Sequence, residues 1–127
     1  MKYGILIALM GVLWGTSWTI TQEPAQSKPV IKRVSKTEFK KQLNTLKDVQ
    51  LIDVRTPGEY QRGTIDGAIN IDFMSSDFTS KISKLDKSKP TLIFCQSGGR
   101  SAKALYKFKQ LGFEYVLELE GGYGNWK

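Results

Sequence analysis

Apolar and polar positions divide the chain into an uncharged leader, a short polar stretch, and a region where brief apolar runs alternate with helical spacing. From Tyr3 to Ile20 there is no charge, and Ile, Leu, Met, Val and Trp dominate. Lys2 precedes this run and Thr21-Gln22-Glu23-Pro24 follows it. A basic start and an apolar centre predict an export signal over residues 1–20. The segment either is cleaved, although it has no clear Ala-x-Ala site, or stays as an anchor, having the ~18 apolar residues a bilayer requires. With Lys2 held in the cytoplasm, everything after the segment falls outside, in the periplasm or on the outer face of the membrane. Residues 21–33 contain Pro24 and Pro29 and little periodicity, which predicts a linker ahead of a domain over 34–127.

Within that domain the pattern is regular. Ser35-Lys36-Thr37-Glu38 has capping-box spacing, and Phe39, Leu43 and Leu46 then share one helical face. Val49 to Arg55 is an apolar strand that ends in Asp53 and Arg55. Thr56-Pro57-Gly58 breaks it, and Glu59-Tyr60 open a brief helical turn. Gly63 to Ile71 reads as a turn and a further short strand, and Phe78, Ile82 and Leu85 mark a second helix. After the polar turn Asp86 to Pro90 come a strand, Thr91 to Phe94, and a helix from Ser101 to about Leu111 with Ala102, Leu105, Phe108 and Leu111 on its apolar stripe. Gly112 is placed to stop that helix, Tyr115 to Leu119 forms the last strand, and Glu120 to Trp126 closes the chain. Alternating strands and helices predict a single α/β domain, its mainly parallel sheet covered by helices on both faces. Ligands in such sheets bind beyond the carboxyl ends of the strands, where Cys95 and Asp53-Val54-Arg55 both fall.

Composition narrows the chemistry. The 127 residues suffice for one domain, and 19 Lys and Arg against 12 Asp and Glu give a net charge of +7, suited to an anionic ligand. The basic residues are scattered, with no arginine block and no aromatic interleaving, which argues against nucleic acid. The chain has no histidine, so Ser-His-Asp and Cys-His mechanisms and histidine metal sites are excluded within it. A single cysteine excludes an intramolecular disulfide.

That cysteine opens the stretch Cys95-Gln96-Ser97-Gly98-Gly99-Arg100-Ser101. A thiolate is the useful nucleophile, and a free thiol titrates near ~8.5. Without histidine its activation must be electrostatic, from loop N–H groups, the positive end of the following helix and Arg100. Gly98 and Gly99 permit positive φ, so that successive N–H groups face one site, and Ser97 and Ser101 add hydroxyls. The competing explanation is a structural cysteine at a strand end. Asp53 and Arg55 are equally open: a structural ion pair pinning the loops, or a supporting pair in which Arg55 lines an anion pocket. A cysteine phosphatase loop spaces nucleophile and arginine as Cys-x5-Arg, whereas here four residues intervene, a tighter ring that favours sulfur over a phosphoryl group.

Four ordered motifs resemble those of single-domain rhodaneses, a sulfurtransferase family: Leu51 to Tyr60, Gly63 to Asn70, the loop from Cys95 through Gly98 to Arg100, and Leu119-Glu120-Gly121-Gly122 with Trp126. Thr64 and Asp66 depart from the family's usual histidine and proline. The resemblance implies a rhodanese-like fold with a five-stranded sheet. It also implies a double displacement, in which the Cys95 thiolate takes the outer sulfur of a donor such as thiosulfate and passes it to cyanide or a thiol. Gln96, Ser97, Gly98, Gly99, Arg100 and Ser101 would hold the donor and the persulfide. No metal or organic cofactor is implied. The expected partners are the small anionic donor and its acceptor, with no nucleic acid, no membrane contact except through the leader, and a monomeric state. Two rivals remain: a non-catalytic rhodanese-like binding module, and a cysteine-dependent phosphatase or arsenate reductase.

Overall fold

The computed structural model describes residues 15–127. The greater part of the expected leader, residues 1–14, lies outside the described residues. Residues 15–29 are exposed and carry no helix or strand. Among the described residues, no helix is long and apolar enough to cross a membrane.

Five strands form one all-parallel sheet: β1 (Val30–Val34), β2 (Gln50–Asp53), β3 (Ile69–Asn70), β4 (Thr91–Phe94) and β5 (Tyr115–Leu119), in the spatial order β1-β5-β4-β2-β3. The connecting helices are α1 (Lys36–Thr45), α2 (Pro57–Gln61), α3 (Phe78–Ser83) and α4 (Gly99–Gln110), and a 3-10 turn, Tyr123–Asn125, follows β5. β4 lies at the centre and is buried along its whole length, as a strand covered on both faces must be. Side chains alternate across it. Leu92 and Phe94 join Phe39 of α1, Leu117 and Leu119 on one face; Ile93 and Cys95 join Phe78 of α3, Phe108 of α4 and Val116 on the other. Rings pack edge-on in that second layer, Phe108 against Phe113 at 4.7 Å and against Phe78 at 6.4 Å. Strand alternation therefore delivers the Cys95 side chain to the α3/α4 side of the sheet.

Most elements begin where the local chemistry calls for them. The Ser35 hydroxyl accepts the Glu38 N–H at the start of α1. A reciprocal capping box forms instead at α2, where the Thr56 hydroxyl accepts the Glu59 N–H and the Glu59 carboxylate accepts the Thr56 N–H. α4 starts at Gly99, two residues before the expected Ser101, because Gly98 at φ 101° turns the chain directly into the helix.

One expectation needs correction. The stretch read as linker, residues 21–33, ends in a strand: β1 begins at Val30 and pairs with β5 from Val30↔Tyr115 to Val34↔Leu119. Two charges and a preceding proline hid it. An edge strand tolerates Lys32 and Arg33 because one side of its backbone is unpaired and its side chains are largely exposed.

Candidate active site

The site lies at the carboxyl end of β4, where the chain leaves the sheet and turns into α4. Cys95 is the first residue past the strand and is only 1% exposed, its sulfur at the floor of the turn. The Gly98 N–H donates to Sγ at 3.1 Å, and the Ser101 hydroxyl stands 3.3 Å from it. Burial pushes the Cys95 thiol up; bonds from the Ser101 hydroxyl and the N–H groups of Ser101, Ser97 and Gly98 outweigh it and leave the thiol below its ordinary value. This is the physical content of the cradle: fixed N–H donors that favour the charged form of sulfur and need no histidine.

The other side chains expected at the loop go elsewhere. Ser97 contributes its backbone, and its side chain is exposed. Gly99 opens α4. The Gln96 carboxamide oxygen accepts from Arg55 Nη1 at 3.0 Å. Arg100 leans over to α2, where its guanidinium forks onto Glu59 with bonds of 2.6 and 2.9 Å. The Arg100 guanidinium holds the Glu59 carboxyl down at about 2, with the Thr56 N–H and hydroxyl assisting, and Glu59 in turn raises Arg100. Cys95 and Arg100 are still close enough that a sulfur anion reinforces the Arg100 charge.

Asp53 and Arg55 form a buried ion pair, with Arg55 Nη2 2.7 Å from Asp53 Oδ2 and Nε bonded to both carboxylate oxygens. The guanidinium also donates to Gly63 O at 2.6 Å and lies 4.3 Å from the centre of the Tyr123 ring. It thus ties the ends of β2 and β4, the α2–β3 loop and the closing segment into one unit. Thr64, where the family motif usually has histidine, donates to Asp53 Oδ2 at 2.8 Å. Arg55 also borders a cleft of about 440 Å³ beside the loop, whose other walls include Glu59, Arg62, Gln96, Tyr123 and Lys127. Arg62 and Lys127 give this opening a basic rim.

The closing segment supports the loop from beneath. Tyr123 N donates to Cys95 O at 2.8 Å and Gly124 N to Gln96 O at 3.0 Å. Gly122 makes this approach possible: at φ 62°, a Cβ there would come within 2.6 Å of Gln96 C.

Three participants escaped the sequence reading. Glu59 carried a signal in the spacing Thr56-x-x-Glu59, which aims its carboxylate back toward the α2 N-terminus. Glu118 carried another, as a charge inside an apolar strand. It is fully buried and bonded to the Ser101 hydroxyl at 2.5 Å and to Arg33 Nε at 2.6 Å. Arg33 had no local signal, because its role depends on the register that sets it opposite Glu118.

Comparison with known proteins agrees with this geometry. A family model described as the rhodanese-like domain matches residues 35–127. The chain is 38% identical over 85 residues to thiosulfate sulfurtransferase 16, chloroplastic, of Arabidopsis thaliana, covering 59% of this chain and 71% of that one. It is 37% identical over 81 residues to a tRNA uridine(34) hydroxylase of Pelagibacter ubique, covering 63% of this chain but 27% of that longer protein. Among solved structures, a rhodanese-like domain protein of Staphylococcus aureus superposes with a TM-score of 0.67 at 30% identity, covering 76% of this chain and 91% of that one. The chain belongs to the rhodanese-like family, and its five-stranded parallel sheet with the Cys95 loop at its carboxyl edge is a rhodanese-like domain.

Proposed function

We propose that the protein is a sulfurtransferase that carries a sulfane sulfur on Cys95, from a small anionic donor such as thiosulfate to cyanide or a thiol. The observation that carries this reading is a buried cysteine whose sulfur meets N–H and O–H donors of the loop and the helix start. With four residues between Cys95 and Arg100 the ring is one residue tighter than a cysteine phosphatase loop, which favours the slender terminal sulfur of thiosulfate over a phosphoryl group. In the first step the Cys95 thiolate attacks that sulfur, a Cys95 S–S bond forms, and the donor's own S–S bond breaks with its electron pair leaving on sulfite. The persulfide charge then rests on the donors that held the thiolate. In the second step cyanide or a thiolate attacks the outer sulfur and the Cys95 thiolate is regenerated. Relatives named as sulfurtransferases support the reading; tRNA hydroxylation belongs to a protein of which this chain spans 27%.

We further propose that the reaction takes place outside the cytoplasm, on the strength of the uncharged run Tyr3 to Ile20 behind Lys2. One measurement tests both statements. Intact mass of the exported protein should show, after incubation with thiosulfate, one added sulfur that cyanide removes and that Cys95→Ser never acquires. The same spectrum reads whether the leader has been cleaved. A protein with a free thiol that gains no mass would leave the binding-module reading in its place, and turnover of an aryl phosphate would favour the phosphatase.

A further inference from the structure

The sulfur-transfer chemistry leaves one buried carboxylate beside the loop without a task. Glu118 on β5 is wholly buried and faces the same side of the sheet as Val116 and Cys95. It stands in register with Arg33 on β1, whose Nε and Nη2 reach its two oxygens at 2.6 and 3.1 Å. Arg33 Nη2 also donates to Gly98 O at 2.7 Å, steadying the residue whose N–H points at the sulfur. Between carboxylate and sulfur sits Ser101, its hydroxyl 2.5 Å from Glu118 Oε1 and 3.3 Å from Cys95 Sγ.

A serine hydroxyl has one proton and cannot donate it to both neighbours. When it points to Glu118, only a lone pair faces the sulfur, and Cys95 must be a thiol donating its S–H to Ser101. When Cys95 is a thiolate or a persulfide anion it only accepts, so the hydroxyl must turn to sulfur and leave Glu118 to Arg33. The remaining donors around the sulfur are backbone N–H groups, which cannot rotate. The 2.5 Å bond has the length of a charge-assisted O–H···O⁻ contact and places the resting proton on the carboxylate side, while 3.3 Å is an ordinary separation from the larger sulfur.

We propose that Ser101 is a two-position proton donor, and that Glu118, anchored by Arg33, is the positioning residue that sets how readily it turns to the Cys95 sulfur. On ionisation the thiol proton leaves to water and the hydroxyl swings from oxygen to sulfur. The charged groups around the sulfur are Arg33 from β1, Arg100 from α4 and Glu118 from β5; Glu120 faces Arg33, and Glu59 and Asp72 face Arg100. Glu118 works against ionisation and Arg33 tempers it. A thiol kept protonated until a donor arrives oxidises more slowly. The inference rests on Cys95 being the reactive group of the proposed transfer.

The test reads thiol ionisation alone, so its failure and that of the sulfur-transfer reading are separable. The rate of Cys95 alkylation by iodoacetamide is followed against pH in the wild type, Glu118→Gln, Ser101→Ala, the double variant and Arg33→Gln. Glu118→Gln should lower the midpoint and raise the thiolate-to-thiol ratio at a given pH by roughly tenfold, the scale of one hydrogen bond to a charged atom. Ser101→Ala should raise the midpoint, and Glu118→Gln should then shift it far less. Arg33→Gln, at a side chain 45% exposed and so tolerant of change, should raise the midpoint because Glu118 then leans on Ser101 alone. An unchanged or raised midpoint in Glu118→Gln overturns the proposal, as does an equal shift with and without Ser101, which would mean bare charge. If Glu118→Gln does not fold, an unmoved midpoint in Arg33→Gln overturns it instead.

Discussion

Arg100 is bound at both ends of its chemistry: its backbone lies in the first turn of α4, and its guanidinium is held by Glu59 with two bonds. The pair is about a quarter exposed, which sets its worth between that of a surface pair and a buried one. Glu59→Gln should cost about 1–2 kcal/mol at pH 7, read by urea unfolding. The pH dependence has a definite sign. Because Glu59 is depressed from 4.5 to about 2, its contribution is complete above the higher value and is lost as pH falls through the lower one. The gap between wild type and Glu59→Gln should therefore close below about pH 4.5 and vanish near 2; a gap independent of pH would mean that the pair contributes no linked stability. At this scale the sequence was a partial guide. The donors around Cys95 were readable from residue types and spacing, because small residues between a strand end and a helix start let N–H and O–H groups converge on one point. The direction of the Arg100 side chain was not, since it depends on a carboxylate 41 residues away.

The elements that matter most to the loop are those beneath it. The segment after β5 presses two backbone N–H groups onto the carbonyls of Cys95 and Gln96, and Gly122 sits at the point of closest approach. Gly122→Ala should both strain a left-handed residue and push on the Gln96 backbone, with a cost above about 2 kcal/mol and a loss of sulfur-transfer turnover beyond what the lower Tm explains. Gly67→Ala is the control: φ there is 86° but no atom lies within 4 Å of a new Cβ, so only the backbone cost of about 1–2 kcal/mol applies. Equal effects on turnover in the two variants would show that the closing segment does not shape the loop. α1, the central strands and α4 were legible because each obeys one periodicity and begins or ends on a recognisable residue. β1 was not, because an edge strand with two charges in five residues lacks the apolar run by which strands are read.

Across the whole molecule, a net charge of +7 surrounds a cleft with Arg62 and Lys127 at its rim. Attraction of the proposed doubly charged donor to this surface is screened as the Debye length falls from ~10 Å at 0.1 M salt toward ~3 Å at 1 M. KM for thiosulfate should rise several-fold over that range with kcat nearly constant, in a steady-state assay; a flat KM would remove any role for the general charge. What the sequence determined by itself was local or global in kind: the α/β alternation, the candidate nucleophile and the number of residues to its arginine, the exclusion of histidine chemistry, and the sign of the charge. Each follows from neighbours along the chain or from a sum over all of it. Only the tertiary structure decided which distant charges meet. Crossover connections in a parallel sheet bring the ends of separated strands together, so Arg33 reaches Glu118 across 85 residues and Arg100 reaches Glu59 across 41. Such pairs depend on strand order and register, which no local spacing records, and here they settle where the Arg100 guanidinium goes and put the Glu118 carboxylate beside Ser101.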